Sequence, residues 1–272
     1  NKSNFSLNFT KSGKKISVLV RENHQQNPRE ANNMSIDTSK RTNAVEIMDD
    51  FDLKGQELDK TLRDLDNINK WLGGNKITLD AIKAIIEDQP KTKEIHIADV
   101  GCGNGAVLRE IAKWSRKNSY NIKLTGVDAN THAIEIGRNL SSNYPEIDFL
   151  ALDIFSEEFK AFSCDIILCT LTLHHFKNKE ILELLKLFNQ QSSIGVVVND
   201  LHRSKAAYRL FQAFCAVFIN NEIARKDGLI SILRGFKKDE LKSFAEKIPQ
   251  TKHQISWKWA FRYQWIIQKE KI

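Results

Sequence analysis

Residues 97–108 of the chain read IADVGCGNGAVL. An apolar stretch that contains Asp99 runs into three glycines at alternate positions, Gly101, Gly103 and Gly105, and a helix-like pattern follows. Glycines placed between a strand and a helix let the bare backbone approach a ligand closely. The stretch therefore predicts a cofactor site at a strand-to-helix turn, and at least two classes of cofactor use glycines in this way.

Strand and helix patterns alternate five times from this stretch onward. The strands are predicted at 94–100, 121–128, 147–153, 164–170 and 193–200. Five such units predict a doubly wound, Rossmann-like α/β fold, which is a mostly parallel sheet with helices on both faces. The stretch HQISWKWAFRYQWIIQ near the C-terminus predicts one or two closing strands that form an antiparallel pair.

Residues 34–92 precede the sheet and carry helical patterns, which we expect to form a lid over the cofactor. Leucine and isoleucine recur at steps of three and four up to Leu72, and Gly73-Gly74 ends that helix. Thr78 is expected to cap a second helix. The polar residues 1–33 predict a disordered arm, or an upstream region with Met34 as the true start.

The composition predicts one large α/β domain with additions. The chain has 272 residues, of which 41% are hydrophobic, and no apolar run approaches the roughly 20 residues of a membrane helix. The N-terminus lacks the apolar core of a secretory signal. Its four cysteines form no C-x-x-C pair, which favours buried free thiols in a reducing compartment. We therefore expect a cytoplasmic protein without a membrane span.

The net charge of +7 does not predict a nucleic-acid-binding protein, because the charge lies at the ends. Residues 1–33 carry +4 and residues 251–272 carry +4, so the rest of the chain carries −1. A nearly neutral body offers no basic face for nucleic acid. We expect a small-molecule acceptor, bound by a monomer or a homodimer.

The residues that end the five strands decide between cofactors, since ligands bind at the carboxyl ends of parallel strands. These residues are Asp99, Asp128, Asp153, Thr170 and Asp200. The pattern G-x-G-x-x-A with Asp128 roughly 20 residues later also suits a nicotinamide dinucleotide. Its pyrophosphate would however lie beside several carboxylates, whereas the cationic sulfonium and ammonium of S-adenosylmethionine suit them. An NAD-dependent oxidoreductase stays the weaker alternative.

The segment D-V-G-C-G-N-G at 99–105 resembles motif I of the class I S-adenosylmethionine-dependent methyltransferases. The resemblance continues through GVDAN, ALDIF and CDIILCTLTLHHF, and it covers about 93 to 272. The chain is most similar to the type 11, ubiquinone/menaquinone-biosynthesis-type small-molecule methyltransferases. It resembles in particular a bacterial subgroup with MDD, here 48–50, and NDLHRS, here 199–204. This implies a methyltransferase domain over 93–272 with an acceptor-side insertion at about 203–235.

The resemblance also implies which residues contact the cofactor. Asp99, Gly101 and Gly103 would face its methionine part, and the helix start at Asn104 and Gly105 would hold its carboxylate. Asp128 would accept hydrogen bonds from the ribose hydroxyls. Ala129 and Asn130 would flank the adenine, which Asp153 and the Ile154 amide would bind. The Thr170 backbone would face the methionine ammonium.

A hydroxyl or phenol acceptor must lose a proton, so an O-methyltransferase needs a general base. The candidates are His174, His175, His202 and Asp200, with His202 slightly favoured because it lies where the acceptor should enter. No zinc site is expected, since no second carboxylate or thiolate pair has ligand spacing. Arg203 could hold an anionic group of the acceptor. On the helix that follows, Tyr208 and Phe211 could line an apolar pocket.

These observations predict a methyltransferase that acts on a small or medium apolar acceptor, by O-methylation of a hydroxyl or phenol. A module that binds S-adenosylmethionine without transfer is the alternative from another class. The identity of the acceptor, the methylated atom and the oligomeric state stay open.

Overall fold

The computed structural model describes residues 6–11, 14–19, 36–50 and 53–269. The chain forms two units, residues 1–37 and residues 38–272. In the first unit, β1 (Ser6–Lys11) pairs antiparallel with β2 (Lys14–Leu19). The arm expected to be disordered therefore contains two paired strands.

A seven-stranded sheet forms the centre of the second unit, with the order β5-β4-β3-β6-β7-β9-β8. Its strands are β3 (Ile95–Val100), β4 (Ile122–Asp128), β5 (Ile147–Ala151), β6 (Cys164–Thr170), β7 (Ser192–Leu201), β8 (Thr251–Lys258) and β9 (Arg262–Lys269). The first five are parallel, and β9 pairs antiparallel with both β7 and β8. The predicted sheet, with its antiparallel closing pair, is confirmed. The strand order reverses between β3 and β6, which opens a crevice at their carboxyl ends.

Nine α-helices flank the sheet within the described residues. They are α1 (Gly55–Trp71), α2 (Gly74–Ile86), α3 (Ala106–Asn118), α4 (Thr131–Leu140), α5 (Glu157–Lys160), α6 (Asn178–Gln191), α7 (Lys205–Phe218), α8 (Glu222–Arg234) and α9 (Lys238–Ala245). Short 3-10 turns lie at Ile47–Asp49 and Leu173–His175. None of these helices is long and apolar enough to cross a membrane. The insertion expected at about 203–235 consists of α7 and α8.

Apolar side chains cover both faces of the sheet. On one face, Ile82 and Ile86 of α2 belong to the same buried cluster as Ile97 and Leu124. The cluster on the other face contains the buried Phe188 of α6 and strand residues such as Val196 and Trp265. Two buried layers of this kind hold the strand ends in fixed positions, and the candidate site lies on these ends.

Helix α2 differs from the expectation in its start and in its role. It begins at Gly74 rather than at Thr78, after Gly73 with a left-handed φ of 73°. Thr78 is buried, and its hydroxyl lies 3.1 Å from the Thr170 hydroxyl and accepts a hydrogen bond from Asn199. Because α2 packs on the sheet, the predicted lid is reduced to α1 and the segment 38–50, which we call the strap.

Candidate active site

The glycine turn after β3 brings bare backbone to the crevice. Gly101 has a φ of +71°, and a Cβ atom there would overlap the hydroxyl of Thr172 in the turn that follows β6. Gly103 has a φ of +52° and donates its N–H to Asp128 Oδ2 at 2.8 Å. The turn therefore requires glycine for both its conformation and its close contacts.

Asp128 connects this turn to the end of β4. Its second oxygen accepts a hydrogen bond from the Asn130 N–H at 2.9 Å. Burial raises the pKa of Asp128, and the hydrogen bonds from the Asn130 and Gly103 N–H groups act in the opposite direction. A carboxylate oxygen has more than one lone pair, so Asp128 keeps acceptor capacity for a ribose hydroxyl.

Asp99 is a buried carboxyl with an unsatisfied oxygen. It is 2% exposed, and its Oδ1 has no hydrogen-bond partner among the described residues. Burial and, secondarily, the charge of Asp128 raise the pKa of Asp99 to about 8. A cationic group in the crevice would satisfy this oxygen and favour the charged carboxylate, which fits an ammonium or a sulfonium.

Helix α1 contacts the glycine turn. A Cβ at Gly103 would lie 3.4 Å from Leu62 Cδ2, and Asn104 Nδ2 donates to Asp66 Oδ2 at 2.6 Å. Asn104 Oδ1 accepts from the Ala106 N–H at 3.1 Å, so this side chain supports the start of α3. Asn104 therefore joins the lid to the turn. We therefore expect the backbone of Asn104 and Gly105, and not the Asn104 side chain, to hold the cofactor carboxylate.

The other expected cofactor residues fall into two groups. Thr170 ends β6, whereas Ala129 and Asp153 lie one and two residues after β4 and β5. All three keep their proposed roles. Asn130 caps α4 instead, because its Oδ1 accepts from two N–H groups of that helix and its Nδ2 donates to the Leu53 carbonyl. The Ile154 side chain belongs to the apolar core, so only its amide could serve the adenine.

Two histidines after β6 are each held by a carboxylate. His174 Nδ1 lies 2.8 Å from Asp200 Oδ1, and the His174 N–H donates to Asp200 Oδ2 at 3.1 Å. His175 Nδ1 lies 2.6 Å from Asp49 Oδ1 of the strap. The two ring centroids are 4.2 Å apart. His174 is 2% exposed, and its Nε2 has no hydrogen-bond partner in the described structure.

The strap lies across this histidine pair. Arg41 donates to the carbonyl of His174 at 2.7 Å and to that of Phe176 at 3.0 Å. Glu46 Oε1 lies 3.7 Å from His174 Nε2. Burial raises the pKa of Glu46 to about 7. The strap thus brings a second titratable group to the histidine whose Nε2 lacks a partner.

Helix α8 holds the strap in place. Asp227 accepts hydrogen bonds from the Ile47 and Met48 N–H groups, both at 2.9 Å. Arg234 Nη1 lies 2.7 Å from Asp49 Oδ2 and 3.4 Å from Glu46 Oε1. The insertion therefore fixes the strap, and the strap orients His175.

Glu46, His174 and His175 each bring one possible metal-ligand atom within 4.8 Å of the others. The sequence did not predict this set, because Glu46 lies far upstream of both histidines. The Arg234 guanidinium already provides a positive charge beside Glu46. Both histidines also have carboxylate partners on Nδ1, an arrangement that suits proton transfer and that metal-ligating histidines share.

The structure separates His202 from this cluster, and the preference for it as the base is not supported. His202 Nδ1 accepts a hydrogen bond from Trp257 Nε1 at 3.2 Å, and its ring packs against Tyr263 and Phe261. These partners belong to the β8–β9 hairpin, whereas Asp200, two residues earlier, holds His174. A sequence motif cannot show that two neighbouring polar residues join different clusters.

The residues expected to bind the acceptor mostly have structural partners. Arg203 is buried and its guanidinium binds Glu240, at 2.7 Å and 3.0 Å, and the Thr38 carbonyl. It therefore joins α9 to the strap, and it is not placed to hold an anionic acceptor. Phe211 packs on Gly228 of α8, where a Cβ would lie 2.5 Å from its ring, and Tyr208 is half-buried.

Sequence reasoning missed the strap residues that complete the cluster. Glu46 and Arg41 carried no signal, and Arg234 lies in the insertion. Asp49 belongs to the MDD segment, which was noted only as part of a resemblance. The MDD segment is the one sequence feature that hints at a functional role for these residues, because a short acidic motif outside the sheet is not needed to form the core.

Residues 97–192 match the model of a family described as a methyltransferase domain. No curated protein matches the chain in sequence. Among solved structures, the plantazolicin methyltransferase BpumL in complex with SAH is 16% identical, over 78% of this chain and 90% of that chain, with a TM-score of 0.61.

Two further structures are similar in fold. Human N-acetylserotonin methyltransferase in complex with SAM is 14% identical, over 79% of this chain and 56% of that chain, with a TM-score of 0.56. Magnesium protoporphyrin IX methyltransferase from Synechocystis PCC 6803, with bound SAH, is 11% identical, over 75% of this chain and 87% of that chain, with a TM-score of 0.51. At these identities the likeness concerns the fold.

Proposed function

We propose that the chain is a class I methyltransferase that transfers the methyl group of S-adenosylmethionine to a hydroxyl or phenol oxygen of a small or medium apolar acceptor. The matched methyltransferase domain and the sheet order support the family part of this proposal. The cofactor part of the proposal is supported by the similar structures, which were solved with SAH or SAM. It is also supported by the unsatisfied Asp99 carboxyl beside Asp128, which suits a cationic ligand.

The observation that carries the proposed chemistry is the state of His174. Its Nδ1 is held by Asp200, so the neutral ring carries its proton on Nδ1 and presents a lone pair at Nε2. That Nε2 has no other hydrogen-bond partner in the described part of the chain. An acceptor hydroxyl could donate to it, which makes His174 the proposed general base and Asp200 the residue that orients it.

The proposed reaction is an in-line displacement at the methyl carbon. A lone pair of the acceptor oxygen forms the new C–O bond while the S–C bond breaks, and the sulfonium becomes a neutral thioether. The hydroxyl proton moves to His174 Nε2, and Asp200 stabilises the imidazolium that forms. Positioning of the two reactants contributes most of the rate, since methyl transfer needs little covalent chemistry from the protein.

The remaining polar residues of the cluster support this step. The carboxylate of Asp49 holds His175, whose ring lies against His174. Glu46 lies 3.7 Å from the base and could accept the proton onward, because burial raises the pKa of Glu46 to about 7. We further propose that the acceptor enters beside the strap, which implies that the strap moves during turnover.

The test measures transfer of the labelled methyl group from S-adenosylmethionine to phenols, quinols, carboxylic acids and thiols. We expect methylation of a phenol or quinol, and a loss of about 10²–10⁴-fold in turnover for His174→Ala with little change in cofactor affinity. His202→Ala is the matched control, and it should retain turnover within a few-fold. Methylation of thiols alone, or equal losses in both variants, would contradict the proposed base. Cofactor binding without transfer to any class would favour the non-catalytic alternative.

A further inference from the structure

Helix α7 is apolar and yet largely exposed. Its sequence is KAAYRLFQAFCAVF, and only Ala207 and Cys215 are buried. Leu210 is 54% exposed, Val217 is 73% exposed and Phe218 is 59% exposed. A helix of a globular protein ordinarily turns such residues toward the core. Here Leu210, Val217 and Phe218 are more than half exposed, whereas Phe211 and Phe214 pack against a small buried cluster that includes Cys215.

The end of α1 extends this apolar surface. Trp71 is 58% exposed, and its ring contacts Phe214 and Phe218 edge-on, with centroids 6.2 Å and 6.3 Å apart. We call the group of Trp71, Leu210, Phe214, Val217 and Phe218 the aromatic face. Contiguous exposed apolar surface of this kind marks an interaction site more often than singly exposed side chains do.

Exposed basic residues lie on the two helices that form the aromatic face. Lys205 and Arg209 lie one turn apart on the exposed side of α7, and Lys70 precedes Trp71. None of the three has an ion pair with another described residue. Helix α7 contains no acidic residue, and Glu222 at the start of α8 is paired with Lys226 at 2.6 Å. Helix α7, which carries most of the aromatic face, therefore has two cations and no negative charge of its own.

We propose that the aromatic face binds the surface of a lipid bilayer that contains anionic lipid. Exposed Trp, Phe and Leu beside a row of Lys and Arg are typical of helices that lie in the bilayer interface, with the apolar side chains among the acyl chains and the cations at the headgroups. At 14 residues, α7 is about 21 Å long, which is too short to span a hydrocarbon core of about 30 Å. It therefore lies along the surface.

The charges also favour a bilayer over a second copy of this chain. A symmetric dimer through the aromatic face would bring the same surface patch of both copies together. Each copy would then contribute Lys205 and Arg209 of α7, and α7 offers no acidic partner for them. Anionic headgroups supply the complementary charge that a second copy lacks.

The test is co-sedimentation of the full chain with phosphatidylcholine vesicles, with and without about a third of phosphatidylglycerol. We expect binding to the anionic vesicles, weakened by salt, and weak binding to the neutral ones. Val217→Ser combined with Phe218→Ser should reduce partitioning by tenfold or more, judged by the roughly 0.8 kcal/mol that each buried CH₂ contributes. Lys205→Gln and Arg209→Gln should each reduce it about fivefold.

Trp259→Ser provides the matched control, because Trp259 is an exposed tryptophan on the β8–β9 hairpin and outside the aromatic face. It should bind vesicles as the unchanged chain does. Equal loss in Trp259→Ser, or no binding to anionic vesicles, would overturn the proposal. The proposal would also be overturned if the chain did not bind vesicles and formed a dimer in solution that the combined Val217→Ser and Phe218→Ser variant converts to a monomer. None of these substitutions touches the histidine cluster, so methyl transfer to a water-soluble phenol is tested separately.

Discussion

At the scale of single residues, Asp99 shows how burial prepares a site for a cation. An isolated carboxylate is costly in a buried environment, so Asp99 takes up a proton and its pKa rises to about 8. Asp128, which is held by two backbone N–H groups, lies close enough to add to that rise. A cationic ligand lowers the pKa of Asp99 again, because it favours the charged carboxylate.

We therefore expect cofactor binding at pH 7 to release a proton from Asp99. Isothermal titration with S-adenosylhomocysteine in two buffers of different ionisation enthalpy measures this release, which should approach one proton for each site. Affinity should rise with pH up to about 8. In Asp99→Asn the release should disappear. A release of the same size in that variant would assign the proton to another group, with Glu46 as the next candidate.

The same shift predicts how the stability of the ligand-free protein depends on pH. The folded-state pKa of Asp99, about 8, lies above its ordinary value of 3.8. Its contribution to stability is therefore complete below pH 3.8 and is lost as the pH rises through 8. The melting temperature of Asp99→Asn should therefore rise relative to that of the unchanged chain as the pH increases from 5 to 8. A constant difference in melting temperature over that range would contradict the shifted pKa.

Asp128 provides a separate test of the cofactor site. Asp128→Ala should weaken binding of S-adenosylmethionine by roughly 1.5–3 kcal/mol for each charge-assisted hydrogen bond to the ribose. The substitution also removes the acceptor for the Gly103 and Asn130 N–H groups, so Asp128→Asn is the milder companion variant. Unchanged affinity in both variants, measured by calorimetry, would show that Asp128 only supports the glycine turn.

At the scale of elements, the strap does more than the lid that the sequence predicted. It supplies Asp49 and Glu46 to the histidine cluster, and Arg41 binds the turn that carries both histidines. Helix α8 fixes it through Asp227. Because the two units of the chain divide at residues 37 and 38, we expect the part before the strap to be dispensable for the second unit.

A chain that begins at Met34 should therefore keep its melting temperature and its cofactor affinity. A chain that begins at residue 51 lacks the strap and leaves Asp227 and Arg234 without their partners. Each buried group left unsatisfied costs about 1–3 kcal/mol, so its melting temperature should fall by several degrees. Differential scanning calorimetry of both proteins makes the comparison. An equal fall in the chain from Met34 would show that residues before 34 contribute to the second unit.

At the scale of the whole molecule, the sheet depends on the junction where it changes from parallel to antiparallel. Gly195 of β7 faces β9 there, and a Cβ would lie 2.5 Å from the Ile267 carbonyl oxygen. Gly195→Ala should push the two strands apart and lower the free energy of unfolding by about 1–3 kcal/mol or more. Lys252→Ala on the outer strand β8 should change it by less than about 0.5 kcal/mol. Urea unfolding measures both, and similar values would contradict a strained junction.

The sequence by itself determined the sheet and the cofactor cradle. Hydrophobic periodicity, glycine conformation and the residue that ends each strand are local properties, and they predict Gly101, Gly103, Asp99 and Asp128 because a strand and its following turn lie within a few residues of each other. The sheet order and the matched domain agree with the predicted fold, and the cofactor contacts of these residues stay predictions.

Only the tertiary structure decided which histidine we propose as the base. His174 acquires its role from Asp200 of a neighbouring strand and from Glu46 of the strap, and His175 from Asp49. His202 lies nearest to Asp200 in sequence, yet it packs into the β8–β9 hairpin. These partners are distant along the chain, and chain packing brings them together. No local pattern records a contact of that kind.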